Sequence, residues 1–427
     1  MPDVASVATV QNASDRGTRI ASVDVIRGAV MVLMAIDHVR VYAGLPAGGP
    51  DPGIFWTRWV THFCAPAFVF LAGSSGFLYA RTHTDVSRLL LTRGAWLILL
   101  ELTVLRVAWT FNLDFMRYNM AGVIWVIGCC MILMAPLVRL PLAAIGAFGV
   151  AVIAAHNLLD PLLFSPAVGE SAFAGLWKIL YVGFYAGPVS VAGGSALWVL
   201  YSIVPWIGVM AAGYAFGAAL TLAPERRTRV CLMLGLGAIA LFLVLRGFNL
   251  YGNPQPWSAP AADAQDPAMP ALFSFLNTNK YPASLAFLLM TLGPAIALVP
   301  LLERGGGARA PGFPERRGGI PPGLPERPGG VPQWLTVFGR VPFFYYVLHI
   351  PLIHLLAVLV SLIRTGQVSP WLFADHPMGA PPPPDGYAWS LGLLYAVWAA
   401  AIVMLYFASR WFAAVKARRT DWWLKYL

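Results

Sequence analysis

Charge is what this chain of 427 residues has least of. Asp, Glu, Lys and Arg make up 11% of it, against about 25% in a soluble globular protein. With 58% apolar residues and a mean hydropathy of +0.68, that shortage excludes a soluble enzyme and predicts a polytopic membrane protein. Cysteine is scarce too. Cys64, Cys129, Cys130 and Cys231 all fall in apolar stretches and form no CxxC pair, which argues for buried thiols over disulfides. No HxxxH or histidine–carboxylate spacing completes a metal site, so no metal is expected. The chain also lacks a Walker loop, a GxSxG elbow and any deaminase or kinase signature. A cleavable signal is not expected, because residues 1–20 are polar and the first apolar run is studded with ionisable groups.

What the chain does have is long apolar runs. They fall near 22–43, 59–80, 88–108, 119–138, 141–157, 196–221, 229–247, 283–303, 341–363 and 388–410, and a span needs about 17–25 residues. The expectation is an all-α bundle of about ten transmembrane helices. Placing both termini in the cytoplasm puts most of the 29 Lys and Arg on that side, among them Arg81, Arg88, Arg93, Arg226, Arg227 and the tail cluster Lys416, Arg418, Arg419. The positive-inside rule favours this orientation in a cytoplasmic (inner) membrane. The net charge of +10 is then a topology signal with contact to anionic lipid, and no nucleic-acid partner is implied.

The remaining segments divide the chain. Residues 1–21 read as a cytoplasmic tail and 22–303 as a bundle of helices one to eight. Residues 304–333 form a Gly/Pro-rich cytoplasmic linker expected to be disordered. Helices nine and ten follow over 334–410, and 411–427 reads as an interfacial tail with Trp422, Trp423 and Tyr426. The long external loops 158–195 and 248–282 have the length of binding loops or lids. The loop 364–387, with its APPPPDG run, reads as an extended spacer.

The first helix, VDVIRGAVMVLMAIDHVRV at 23–41, carries Asp24, Arg27, Asp37 and His38. Ionisable residues inside a membrane cost at least about 2.5 kcal/mol each and so face a bundle interior or a cavity. The eleven-residue step from Arg27 to His38 returns to within roughly 20° of the same helix face, about 16 Å further along. Asp24 is close enough to pair with Arg27. His38, near the outer end, is the candidate general base, with Asp37 beside it, the alternative being a packing hydrogen bond. In helix two, Gly73, Ser74 and Ser75 allow either close helix approach or passage of a thin ligand. His62 starts that helix and could share an external cavity with His38. Glu101 in helix three should be paired or protonated. At the entrance of helix eight, Asn279, Lys280 and Tyr281 suit a sugar or phosphate, and in helix nine Tyr345 and His349 share a face.

These residues resemble the transmembrane acyltransferase superfamily, and most closely its bacterial branch related to heparan-α-glucosaminide N-acetyltransferase. The matching pieces are SVDVIRG at 22–28, AFVFLAGSS at 67–75, NKYPASL at 279–285 and GRVPFFYYVLH at 339–349. The resemblance implies a donor, acetyl-CoA on the cytoplasmic side, and a hydroxyl or amine acceptor on the far side, a sugar-containing component of the cell envelope. It implies His38 as base or acyl carrier and Arg27 as a contact to the cofactor or a holder of the site; an acyltransferase built this way is expected to line its thioester passage with Arg27, Gly73, Ser74 and Ser75. His62, Asn279, Lys280 and Tyr281 fall on the acceptor side, and Asp24, Glu101 and His349 support the site. The loop 44–57 contains no histidine, where the lysosomal enzyme carries its proposed one, so an acetyl-histidine route does not transfer. Membrane lipid, acyl-CoA, the acceptor and a second copy in a homodimer are the partners expected. The alternative is a proton- or anion-coupled transporter, but the second half holds no counterpart of VDVIRG…DH, as an inverted repeat would require.

Overall fold

The computed structural model describes residues 21–421 apart from 117, 164, 192–193, 258–268, 306–332, 380 and 420. The polar tail 1–20, nearly all of the 304–333 linker, and Trp422, Trp423 and Tyr426 therefore lie outside the described residues. Among the described residues ten bundle helices stand where hydropathy places them. They are α1 (Ala21–Tyr42), α2 (Pro52–Ala80), α3 (86–110), α4 (Val123–Leu137), α5 (Leu142–Ala155), α6 (Ile203–Ala219), α7 (Pro224–Gly247), α8 (Leu285–Gly305), α9 (Pro342–Thr365) and α10 (Leu391–Arg418). Six of them, counting α5 with its extension to Leu162, are long and apolar enough to cross a membrane. Helices α4 and α6 are apolar but shorter, and α1 and α3 carry more ionisable residues. Leu99, Val150, Met233, Leu243, Ile363, Val403 and Phe407 are exposed around the bundle, as residues that meet lipid should be. This is an all-α, multi-pass membrane protein.

Local chemistry marks the helix ends. Asp51 caps α2 by accepting the Ile54 amide at 2.8 Å, with Pro52 at the first helical position. Pro66 has no amide to give the His62 carbonyl, and the turn before it, Val60–Phe63, tightens to a 3-10 helix. Gly366 ends α9 in the left-handed conformation, with φ +74°. The tail expected from residue 411 begins as a continuation of α10, which runs unbroken to Arg418. Strands are short: Asn119–Ala121 (β1), Val189–Ser190 (β2) and Ala196–Val199 (β3) form one sheet in the order β1-β3-β2, with β1 and β3 parallel. It ties the α3–α4 connection to the long loop before α6.

Helix α1 is packed by α2, α8, α9, α10 and the short helix Gln333–Arg340. Two glycines of the sequence motifs explain the last contact. A Cβ on Gly28 would sit 1.9 Å from the Leu335 carbonyl, and one on Gly339 would sit 1.9 Å from the Asp24 carbonyl. The two backbones touch there, so SVDVIRG and GRVPFF are two sides of one joint. Halfway along, three neighbours donate to successive α1 carbonyls: the Cys64 thiol to Val30 at 3.3 Å, the Tyr345 hydroxyl to Met31 at 3.0 Å and the Trp398 indole to Val32 at 3.0 Å. These bonds fix the rotation of α1 and hence the direction of its Arg27–His38 stripe.

Candidate active site

The centre of the site is a pair of rings. His38 Nδ1 lies 2.7 Å from His349 Nε2, and the rings are stacked with centroids 4.8 Å apart. His349 is fully buried, and its Nδ1 lies 2.6 Å from the Tyr346 carbonyl and 3.2 Å from that of Tyr345. A carbonyl only accepts, so His349 Nδ1 carries the hydrogen and Nε2 is the acceptor. His38 Nδ1 must then donate, which leaves the lone pair on His38 Nε2. The backbone of α9 thus sets the tautomer of both rings. Trp109 closes against the edge of His38 with centroids 4.8 Å apart.

On the Arg27 side of this pair lies a cavity of about 380 Å³ between α1, α2, α3, α4 and α9. Its wall is mostly apolar, with Met31, Phe68, Leu97, Ile127 and Phe343, and its polar lining includes Arg27, Ser75, Arg93 and Tyr346. Arg27 donates to Ser75 Oγ and to the Leu71 carbonyl, and pairs with Asp24 at 3.6 Å. The cavity reaches Tyr346, whose ring touches that of His349 at 5.1 Å.

A second, polar pocket of about 320 Å³ lies by Asp37, whose carboxylate accepts from the pocket residue Arg58. Arg58, His62, Asn253, Gln255, Asn277, Lys280 and Tyr281 line it. Arg246, which the sequence reading passed over, holds its wall. This guanidinium donates to the carbonyls of Gln255, Ser274, Phe275 and Asn277 at 2.9–3.1 Å. Burial pushes the Tyr281 phenol up, but the charges of Lys280 and Arg58 outweigh that and hold it below the usual range.

The expected residues separate into those the structure brings together and those it does not. His38 and His349 meet, and His62 does not join them. It sits in the polar pocket against Phe287. Asp37 is not available to orient His38, because its carboxylate accepts from Arg40 at 2.9 Å and Arg58 at 3.1 Å. Of the Gly73-Ser74-Ser75 run only Ser75 lines the cavity. A Cβ on Gly73 would meet the Met210 carbonyl at 2.1 Å, and Ser74 Oγ donates to the Gly213 carbonyl at 2.8 Å, so both serve α2–α6 packing. The Asn279 side chain braces its own turn through the Pro282 carbonyl at 2.9 Å. Glu101 sits on a π turn and accepts the amides of Gly122, Ile124 and Trp125 at the start of α4.

The loop 364–387 is no extended spacer. Trp371 donates to the Pro381 carbonyl, Tyr387 to the Tyr42 carbonyl, and the buried His376 ring lies 4.2 Å from that of Trp109. The loop therefore covers the His38 end of the bundle. Its signal was there, in aromatic residues and a histidine placed around the prolines. Among the described residues no three His, Cys, Asp or Glu side chains converge as a metal site.

Comparison with known proteins adds one finding. No curated protein matches the chain, but a family model described as heparan-alpha-glucosaminide N-acetyltransferase, catalytic, matches residues 19–245. That match takes in Arg27, His38, Arg58, His62 and Ser75, and stops short of Lys280 and His349. Since it covers more than half of the chain, the protein belongs to the heparan-alpha-glucosaminide N-acetyltransferase catalytic family.

Proposed function

We propose that this membrane acetyltransferase-like protein moves an acyl group, acetyl in the simplest case, from acyl-CoA to a hydroxyl or amine of a sugar-like acceptor across the bundle. The observation that carries the reading is the His38–His349 pair, whose His349 ring meets Tyr346 in the wall of the apolar cavity, while the neighbouring Asp37 is held by Arg58 of the polar pocket. The donor enters from the Arg27 end, which the clusters of Arg81, Arg88, Arg226 and Arg227 make cytoplasmic. A cavity of this size is at the small end for a ligand site. It suits the slim arm and thioester of the donor, with Arg27 and Arg93 toward the phosphates and the nucleotide left outside. The rise from Arg27 to His38, about 16 Å, is a distance that such an arm spans and a free acetyl unit does not.

His38 Nε2 takes the proton of the acceptor as its oxygen or nitrogen bonds to the acyl carbon. The carbon–sulfur bond then breaks, and the proton held on His38 passes to the departing sulfur. His349 keeps the reactive nitrogen unprotonated beforehand and the ring in place throughout. The test uses the purified full-length protein in detergent and reads acetyl-CoA binding and thiol release with a hexosamine or hexose as acceptor. His38→Ala should bind acetyl-CoA as the unaltered protein does and lose about 10³-fold in thiol release. A folded His38→Ala protein that releases thiol at the original rate overturns the role of His38. A folded original protein that binds no acetyl-CoA overturns the donor.

A further inference from the structure

The polar pocket holds more positive charge than its surroundings answer. Arg40, Arg58 and Lys280 gather around one carboxylate, that of Asp37. Both arginines reach it directly, whereas Lys280 does not. Lys280 is 7% exposed, and its ammonium lies 5.2 Å from the Tyr281 ring centroid and 6.0 Å from that of Tyr201. Among the described residues it has ring faces and no hydrogen-bond acceptor. Two more buried nitrogens on pocket-lining residues lack a partner, Arg58 Nε and His62 Nδ1. Buried ammonium groups and unpaired donors are costly. All three residues line one cavity, with Asn253, Gln255 and Asn277 also on its wall. The depressed Tyr281 phenol reports the same surplus of positive charge.

We propose that this pocket binds a dianionic phosphate monoester, carried by the acceptor whose hydroxyl or amine is acylated; this rests on the acyltransfer reading above. With Arg246 taken up by four carbonyls behind the wall, the three cations gathered around Asp37 leave two positive charges, which a phosphate monoester matches once its second proton is lost, at a pKa of about 6. A carboxylate or a sulfate monoester carries one charge and leaves the other unanswered. Lys280 supplies the point charge, His62 and Arg58 supply or accept directed hydrogen bonds, and Asp37 holds Arg58 in place.

The test uses methyl phosphate, methyl sulfate and acetate on the purified full-length protein at pH 8, read as ligand-induced shifts in melting temperature. Methyl phosphate should bind at least about tenfold tighter than either monoanion, and lowering the pH to 5 should erase the difference. Lys280→Gln and, as a second variant, His62→Gln should each remove the preference while melting normally without ligand. Arg81→Gln, an exposed cation at the opposite end of the bundle, should leave it intact. Equal binding of all three anions, no binding, or a preference that survives both pocket variants overturns the proposal. Because the melting shift needs no acyl transfer, such a failure leaves the acyltransferase reading standing, and that reading fails separately on acetyl-CoA binding and thiol release.

Discussion

The apolar cavity at Arg27 and the polar pocket at Lys280 are built in opposite ways. The Arg27 cavity is walled by helices, its surface is apolar, and its arginine is answered by Asp24, Ser75 and the Leu71 carbonyl. The polar pocket is walled largely by loop segments 253–255 and 277–281, pinned from behind by Arg246, and among the described residues its Lys280 has no acceptor. A helical apolar wall fixes width and excludes water, which suits a long thin ligand of one kind. A loop wall bristling with amides and cations reads the polar head of a ligand. The α1 helix itself is held by packing and by hydrogen bonds to its carbonyls, so the direction of its Arg27–His38 stripe is fixed.

The sharpest break in that comparison would come from the histidine pair. His349→Leu removes the acceptor for His38 Nδ1 and frees the ring to turn or change tautomer. Thiol release should fall about 10²-fold, with acetyl-CoA and methyl phosphate binding unchanged. His349→Gln, whose amide oxygen can accept from Nδ1, should recover part of the loss. Equal losses in both variants, accompanied by weakened binding in both pockets, would show that His349 only fills space.

The next largest effect separates the pockets from each other. Arg27→Gln should raise the KM for acetyl-CoA about tenfold and leave that for a phosphorylated acceptor unchanged, and Lys280→Gln should do the reverse. Steady-state kinetics on both substrates decides it. If either substitution moves both constants alike, the two cavities act as one site.

Legibility in the sequence followed the type of force. Helix positions were readable, because the bilayer demands apolar runs of a given length whatever the packing. The α1 stripe was readable because eleven residues come back to one helix face. The His38–His349 bond was not, since the residues are 311 apart in sequence and only the contact between α1 and α9 brings them together. Asp37 misled for a related reason: adjacency to His38 along a helix points the two side chains about 100° apart, and Arg58 claims the carboxylate from another helix. Gly73 and Ser74 misled because small residues serve close packing and ligand passage equally well, and only the α6 backbone at 2.1 Å decides between them. The loop over 364–387 was misread from its prolines, whose extended backbone is compatible with a packed cover as well as with a spacer.

That cover supplies the smallest expected effect, and it tells the two ends of the bundle apart by pH. His376 is 3% exposed, and burial pushes its imidazole down to about 3. In the unfolded chain a histidine titrates near 6.5. The folded value is the lower one, so the stability that neutral His376 permits is fully present above about 6.5. It is lost progressively as the pH falls toward 3, at a limit of about 1.4 kcal/mol per unit. From pH 7.5 to 5.0 that amounts to about 2 kcal/mol, or several degrees of melting temperature for a chain of this kind. His376→Gln keeps an acceptor for the Met378 amide, which His376 Nδ1 now accepts at 3.2 Å, and has no proton to gain. The melting temperature of this variant should therefore drop less than that of the original protein over the same range. Amide exchange in residues 366–379 of the original protein should quicken on acidification, while exchange around Arg27 stays as it was. Identical acid sensitivity in the two proteins would show that the His38 end of the bundle is no more tied to the charge of its cover than the Arg27 end, where His83, stacked on the cavity residue Tyr79, is exposed.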